Sequence, residues 1–240
     1  MNQQLISTEF IVLCIIQLIT LVTSLIILIT SFKHYLNIDR SKFLLRKSVK
    51  YFTLLFVSIA SLCVFSLVLD FYYLATLNSI ISGYLFSAIV TTTFANIFCA
   101  FQFLVYLLHP ERRYLKYPLG IYCLIGIILQ WIFPPIFTDI FQFPKDNTII
   151  FIYLYLIYLY VYIIFAYEFL YHSWKSADRK ERNRFLCIGL SAVLFIVLLP
   201  VGLLGHGKLI MWLLLLSATS LLYLGYNFPK FFQKFLKVDK

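Results

Sequence analysis

Asp70 is an acid in a place where acids are rare. It lies within the apolar run 51–75, about a turn and a half from the end of that run. A carboxylate in hydrocarbon costs about 2.5–3.5 kcal/mol on insertion scales, so such residues face a bundle interior, a partner or a cavity. Cys63, Ser66, Asp70 and Tyr73 recur at helical spacing and form one polar stripe. Two chemistries fit it: contact with a ligand or ion in an outward-opening pocket, or a carboxylate reaching up to interfacial water.

A second polar band lies in the run 79–108. Ser82, Thr92, Thr93, Asn96, Cys99 and Gln102 carry it, and Thr92, Asn96 and Cys99 keep to one helix face. Asn96 falls near the middle of its run. An amide there seeks a hydrogen bond to another helix, worth about 0.6–2 kcal/mol; Gln17 and Gln130 are the expected partners. The run 148–171 is rich in tyrosine. Tyr153, Tyr160, Tyr167 and Tyr171 share one face, and Tyr155, Tyr158 and Tyr162 lie opposite. Tyr158, Tyr160 and Tyr162 are too deep for an interfacial belt and need buried partners. The ligand-binding candidates are Asp70, Thr93, Asn96, Gln130, Tyr153, Tyr160 and Trp212.

Catalytic and metal chemistry find little purchase. The histidines His34, His109, His172 and His206 are never four residues apart, so no helical metal pair forms. Nucleophile elbows, zincin motifs and phosphate-cradling glycine loops are missing. Neither an enzyme nor a cofactor is expected. Lys208 sits at the start of the last apolar run and not in its middle, which argues against a retinal pigment of the microbial type. Glu168 and His172, one helical turn apart, can pair.

The elements that must hold these groups are membrane helices. The chain has 240 residues, 62% of them hydrophobic and 12% charged, against about 45–50% and about 25% in soluble domains. Seven apolar runs, about 5–32, 51–75, 79–108, 118–138, 148–171, 184–204 and 208–228, each reach the roughly 20 residues that cross hydrocarbon as a helix. The expected fold is an all-α bundle of seven transmembrane helices, with residues 229–240 as a short basic amphipathic tail. Pro134-Pro135 and Pro200 are expected to bend the ends of the fourth and sixth runs.

Charge predicts the orientation. Eighteen of the twenty lysines and arginines fall on one side of the alternating runs, leaving only Lys145 and Lys208 on the other. The positive-inside rule then puts the N-terminus outside and the C-terminus in the cytoplasm, in the plasma or inner membrane. The net charge of +10 belongs to this topology, and nucleic acid is not expected as a partner. Arg112, Arg113, Arg179, Arg182 and Arg184 are candidates for contact with anionic headgroups or a cytoplasmic partner. All five cysteines lie within apolar runs and are expected to behave as small apolar residues.

In span order, orientation and tight turns at Leu77-Asn78 and 205–207, the chain resembles the prokaryotic seven-helix sensory region that precedes histidine kinases. The basic loop Lys175-Ser176-Ala177-Asp178-Arg179-Lys180-Glu181-Arg182-Asn183-Arg184, leading into Phe185-Leu186-Cys187-Ile188-Gly189, carries part of that likeness. A narrower likeness to G-protein-coupled receptors rests on Glu111-Arg112-Arg113-Tyr114 and Asn227-Phe228-Pro229, although Glu111 follows His109-Pro110. The first resemblance implies a receptor- or sensor-like module that binds a small ligand in the bundle and passes helix shifts to a separate cytoplasmic partner. The alternatives are a small-solute transporter or channel, and a structural subunit of a membrane complex.

Overall fold

The computed structural model describes residues 8–136, 148–203 and 207–227. Among them are seven α-helices: α1 (Thr8–Asn37), α2 (Phe43–Thr76), α3 (Ser79–Leu108), α4 (Lys116–Ile132), α5 (Thr148–Lys175), α6 (Arg179–Leu203) and α7 (Gly207–Asn227). A 3-10 segment, Pro110–Leu115, joins α3 to α4. The loop 138–147, Gly205-His206 and the tail 229–240 lie outside the described residues. Within Thr8–Asn37, Phe43–Thr76, Ser79–Leu108, Ile152–Lys175 and Gly207–Asn227 the chain is long and apolar enough to cross a bilayer. The protein is therefore a multi-pass helical membrane protein. α4 has 17 residues, about 25 Å of rise, short of the roughly 30 Å hydrocarbon core.

Neighbouring helices pack in a ring, α1 on α2, α2 on α3, α3 on α5, α5 on α6 and α6 on α7, closed by α1 against α7. α4 stands outside the ring against α3 and α5. Gly126 makes its closest approach possible, since a Cβ there would run into the Phe94 ring. α1 shows why lipid must surround the ring. Ile11, Ile15, Leu18, Ile19, Val22, Ile26 and Ile29 are each about half exposed, while Gln17, Thr20, Ser24 and Ser31 point inward and are fully buried. Water would penalise that arrangement and hydrocarbon favours it.

Helix ends follow local rules. α2 begins eight residues before the apolar run does, because Arg46, Lys47 and Lys50 can extend their charged tips from a helix that is already formed. The Arg46 guanidinium lies 4.9 Å from the Tyr35 ring centre. In the loop before α2, the backbone N–H of Ser41 donates to Asp39 and holds that carboxyl below its ordinary range. α2 stops at Leu77, in the left-handed region at φ 53°, and Asn78 caps α3 by accepting from the N–H groups of Ile80 and Ile81. Pro134-Pro135 lie just beyond α4, which ends at Ile132, whereas Pro200 lies inside α6.

α6 and α7 approach through Gly225. A Cβ there would lie 2.8 Å from the Arg184 carbonyl oxygen and 3.0 Å from the Ile188 nitrogen, both backbone atoms that cannot yield. Gly225→Ala is expected to force the helices apart and cost about 1–3 kcal/mol, read from thermal or denaturant unfolding in detergent; unchanged unfolding would refute this packing.

Candidate functional site

The site is built from polar side chains that the apolar bundle forces together. Asp70 has no exposed surface, and the Lys208 ammonium meets its Oδ1 at 2.5 Å. Gln17 Nε2 donates to the other carboxylate oxygen at 3.0 Å and to Ser66 Oγ at 3.1 Å. Helices α1, α2 and α7 are thereby joined at the end of the bundle opposite the basic loops. Lys208 is itself 9% exposed. The sequence places it at the start of the last apolar run, in accord with α7 beginning at Gly207, but does not reveal its pairing with Asp70. The missed signal was a lone cation on the nearly bare flank, facing a lone acid in the same layer.

A second joint lies deeper. Tyr162 on α5 donates to Asn96 Oδ1 on α3 at 2.5 Å, and Asn96 Nδ2 donates to Ser58 Oγ on α2 at 3.2 Å. Ser58 and Asp70 are twelve residues apart on α2, about 18 Å along its axis. The expected partners of Asn96 were Gln17 and Gln130, but those amides are used elsewhere. Gln17 serves Asp70, and Gln130 donates to Ser87, whose hydroxyl returns a bond to the Gln130 carbonyl. Tyr153 stacks on Tyr122 with ring centres 4.0 Å apart and donates to the Tyr122 carbonyl at 2.8 Å.

Between the two joints lies a cavity of about 100 Å³. α2, α3, α5, α6 and α7 contribute its lining, whereas α4, which carries the candidate Gln130, does not. Of the ligand-binding candidates, Thr93, Asn96 and Trp212 line it, and Asp70 backs it through Lys208. Gln130 and Tyr153 belong to the α3–α4–α5 contact, and Tyr160 is 58% exposed on the outer surface of the bundle. Tyr158, 3% exposed, and Trp212, fully buried, also line the cavity. Neither the Tyr158 hydroxyl nor the Trp212 indole N–H has a hydrogen-bond partner among the described residues. A buried donor left unpaired costs about 1–3 kcal/mol, and both of these border the same cavity.

Beyond the Asn96 joint the core closes. Phe52, Phe56, Phe103 and Phe169 have no exposed surface, and Tyr226 stacks on Phe52 at 3.8 Å. At the basic end, Glu168 Oε1 lies 3.2 Å from His109, the residue just past α3, and Oε2 lies 4.0 Å from His172. Of the basic candidates, Arg184 reaches the carbonyls of Gly225 and Tyr226 at 3.2 and 2.9 Å and so caps α7. Arg112, Arg179 and Arg182 are exposed, and the Arg113 side chain lies outside the described residues. Sequence reasoning found the pairing of Glu168 with His172 and missed His109 as the link to α3.

Removing one member of a buried ion pair strands the other, at a typical cost of about 3–5 kcal/mol, whereas an apolar pair of similar volume is tolerated. Asp70→Leu is expected to lose that much stability, and Asp70→Leu with Lys208→Met to recover most of it in a double-mutant cycle. Additive losses would contradict the pairing.

No protein-family model, curated protein or solved structure matches the chain, so the geometry alone guides its functional reading.

Proposed function

We propose that this chain is a seven-span receptor- or sensor-like protein of the plasma or inner membrane. In this reading a small ligand occupies the cavity between the Asp70–Lys208 and Asn96–Tyr162 joints, and its effect passes to a separate cytoplasmic partner. The N-terminus lies outside and the basic loops face the cytoplasm, where Arg112, Arg179 and Arg182 meet that partner or anionic headgroups. The one-sided distribution of lysine and arginine supports this orientation.

One observation carries the reading: two buried, unpartnered donors, on α5 and α7, line the same cavity. Both helices continue unbroken to the basic end. Along α5, Tyr158 precedes Tyr162, which holds Asn96, and then Glu168, which meets His109. Along α7, Trp212 precedes Gly225 and Tyr226, which Arg184 of α6 grips. A guest that satisfies the donors better in one packing than in another would shift both helices at the cytoplasmic face.

A transporter or channel would need a polar route through the layer of Phe52, Phe56, Phe103 and Phe169, all without exposed surface. That layer favours the receptor reading over the transport one. A structural subunit would leave the two donors without a role.

The test places an environment-sensitive fluorophore at Ser176→Cys, in the loop between α5 and α6, with the protein in lipid nanodiscs. Small neutral, anionic and cationic ring compounds are titrated in turn. At least one class is expected to shift the signal saturably, and Trp212→Leu to abolish the shift. A signal unmoved by every class would refute the reading.

A further inference from the structure

The polar inventory of the cavity defines the chemistry of its guest. Each polar group of the lining other than the two donors is already engaged. Lys208 is held by Asp70, Ser66 accepts from Gln17, and Thr93 donates to the Ile89 carbonyl. Asn96 uses both ends of its amide, toward Tyr162 and Ser58. What remains is the Trp212 indole N–H, which can only donate, and the Tyr158 hydroxyl, which can donate or accept. Whatever sits against Trp212 must therefore bring an acceptor.

The charge balance is equally restrictive. Among the described residues Lys208 is the only charged one on the lining, and Asp70, with no exposed surface, neutralises it. A carboxylate guest would compete with Asp70 for one ammonium and strand an anion in the core. An ammonium guest would find the Asp70 carboxylate already taken. Both substitutions leave an uncompensated buried charge. The rest of the wall is apolar, with Ile59, Phe86, Phe195 and Leu215 among its members. The volume of about 100 Å³ matches about three waters or one compact ring molecule.

We propose that the cavity takes an uncharged, compact, mainly apolar molecule bearing a hydrogen-bond-accepting oxygen, of the ketone, ester or ether class, with Trp212 Nε1 and Tyr158 Oη donating to its oxygen functions. This assignment rests on the reading of the cavity as a ligand site and gives that ligand its chemistry. It makes Trp212 the residue that selects an oxygen-bearing guest over a hydrocarbon of the same shape. Lys208 and Asp70 exclude ions by already satisfying each other.

The experiment uses three probes of similar size: cyclopentanone, methylenecyclopentane, in which a CH2 replaces the oxygen, and cyclobutanecarboxylate. The full chain is held in nanodiscs with isotope-labelled indole nitrogens. It has three tryptophans, so the Trp212 N–H signal is assigned by its loss in Trp212→Phe. Cyclopentanone is expected to move that signal saturably. Its affinity, read from the rise in unfolding temperature, should exceed that of methylenecyclopentane by about tenfold or more. The carboxylate should do neither. In Trp212→Phe the preference for the ketone should shrink toward equality while the hydrocarbon still binds; Tyr158→Phe should reduce it in part.

Equal or tighter binding of the hydrocarbon or the carboxylate overturns the ligand class and leaves the cavity a ligand site. Ketone binding that moves the Trp212 signal but not a fluorophore at residue 176 upholds the class and overturns the signalling role. If no probe moves the Trp212 signal or the unfolding temperature, the ligand class and the interior site both fall.

Discussion

A carboxylate with no exposed surface has to be neutralised where it stands, and Asp70 sets that condition for the bundle. Lys208 meets it, and Gln17 supplies a further donor. The three residues come from α2, α7 and α1, so one acid joins the first helices to the last and closes the ring. Against an apolar core of the same volume such a pair adds little net stability. What it adds is register. Lys208 and Trp212 are one turn apart on α7, so holding the first toward Asp70 turns the second toward the interior. A rotation of α7 that carried Trp212 out to lipid would also pull the Lys208 cation away from Asp70.

How far the sequence shows this architecture depends on the kind of signal involved. Helices in lipid must satisfy their own backbone, so apolar length alone reveals the α-helical elements, and the predicted runs match the cores of all seven helices. Their ends are less legible. α2 starts at Phe43 and not near 51, because hydropathy ends where charge begins while the backbone hydrogen bonding does not. Facing is less legible still. In α5 almost every residue is apolar or aromatic, so its periodicity cannot say which tyrosines look inward. Tyr162 and Tyr158 do, whereas Tyr160, equally deep in the sequence, lies more than half exposed.

Pairings between helices are the least legible. Asn96, Gln130 and Gln17 announce themselves as polar groups that need partners, and each one is buried. Which group meets which depends on rotation and depth together. Gln130 reaches Ser87 across the α3–α4 contact, while Asn96 reaches the nearer Ser58 and Tyr162. Lys208 was hidden for a related reason. A cation next to a loop normally snorkels to water, and only the position of Asp70 on another helix makes burial the better outcome.

The unpaired donors have the right magnitude to matter. A buried donor without a partner costs about 1–3 kcal/mol, and the coupling free energy between two sites in one protein is typically about 1–3 kcal/mol. Two such donors, Trp212 and Tyr158, therefore fall in the same energy range as the coupling proposed for the cavity. They also stand where it can be used. Tyr158 lies one turn from Tyr162, whose bond to Asn96 fixes α5 against α3, and Trp212 lies one turn from Lys208, which fixes α7 against α2. A guest that drew either donor toward itself would load one of those two joints directly. Below those joints Phe52, Phe56, Phe103 and Phe169 have no exposed surface, and interiors packed that closely transmit strain more than they absorb it.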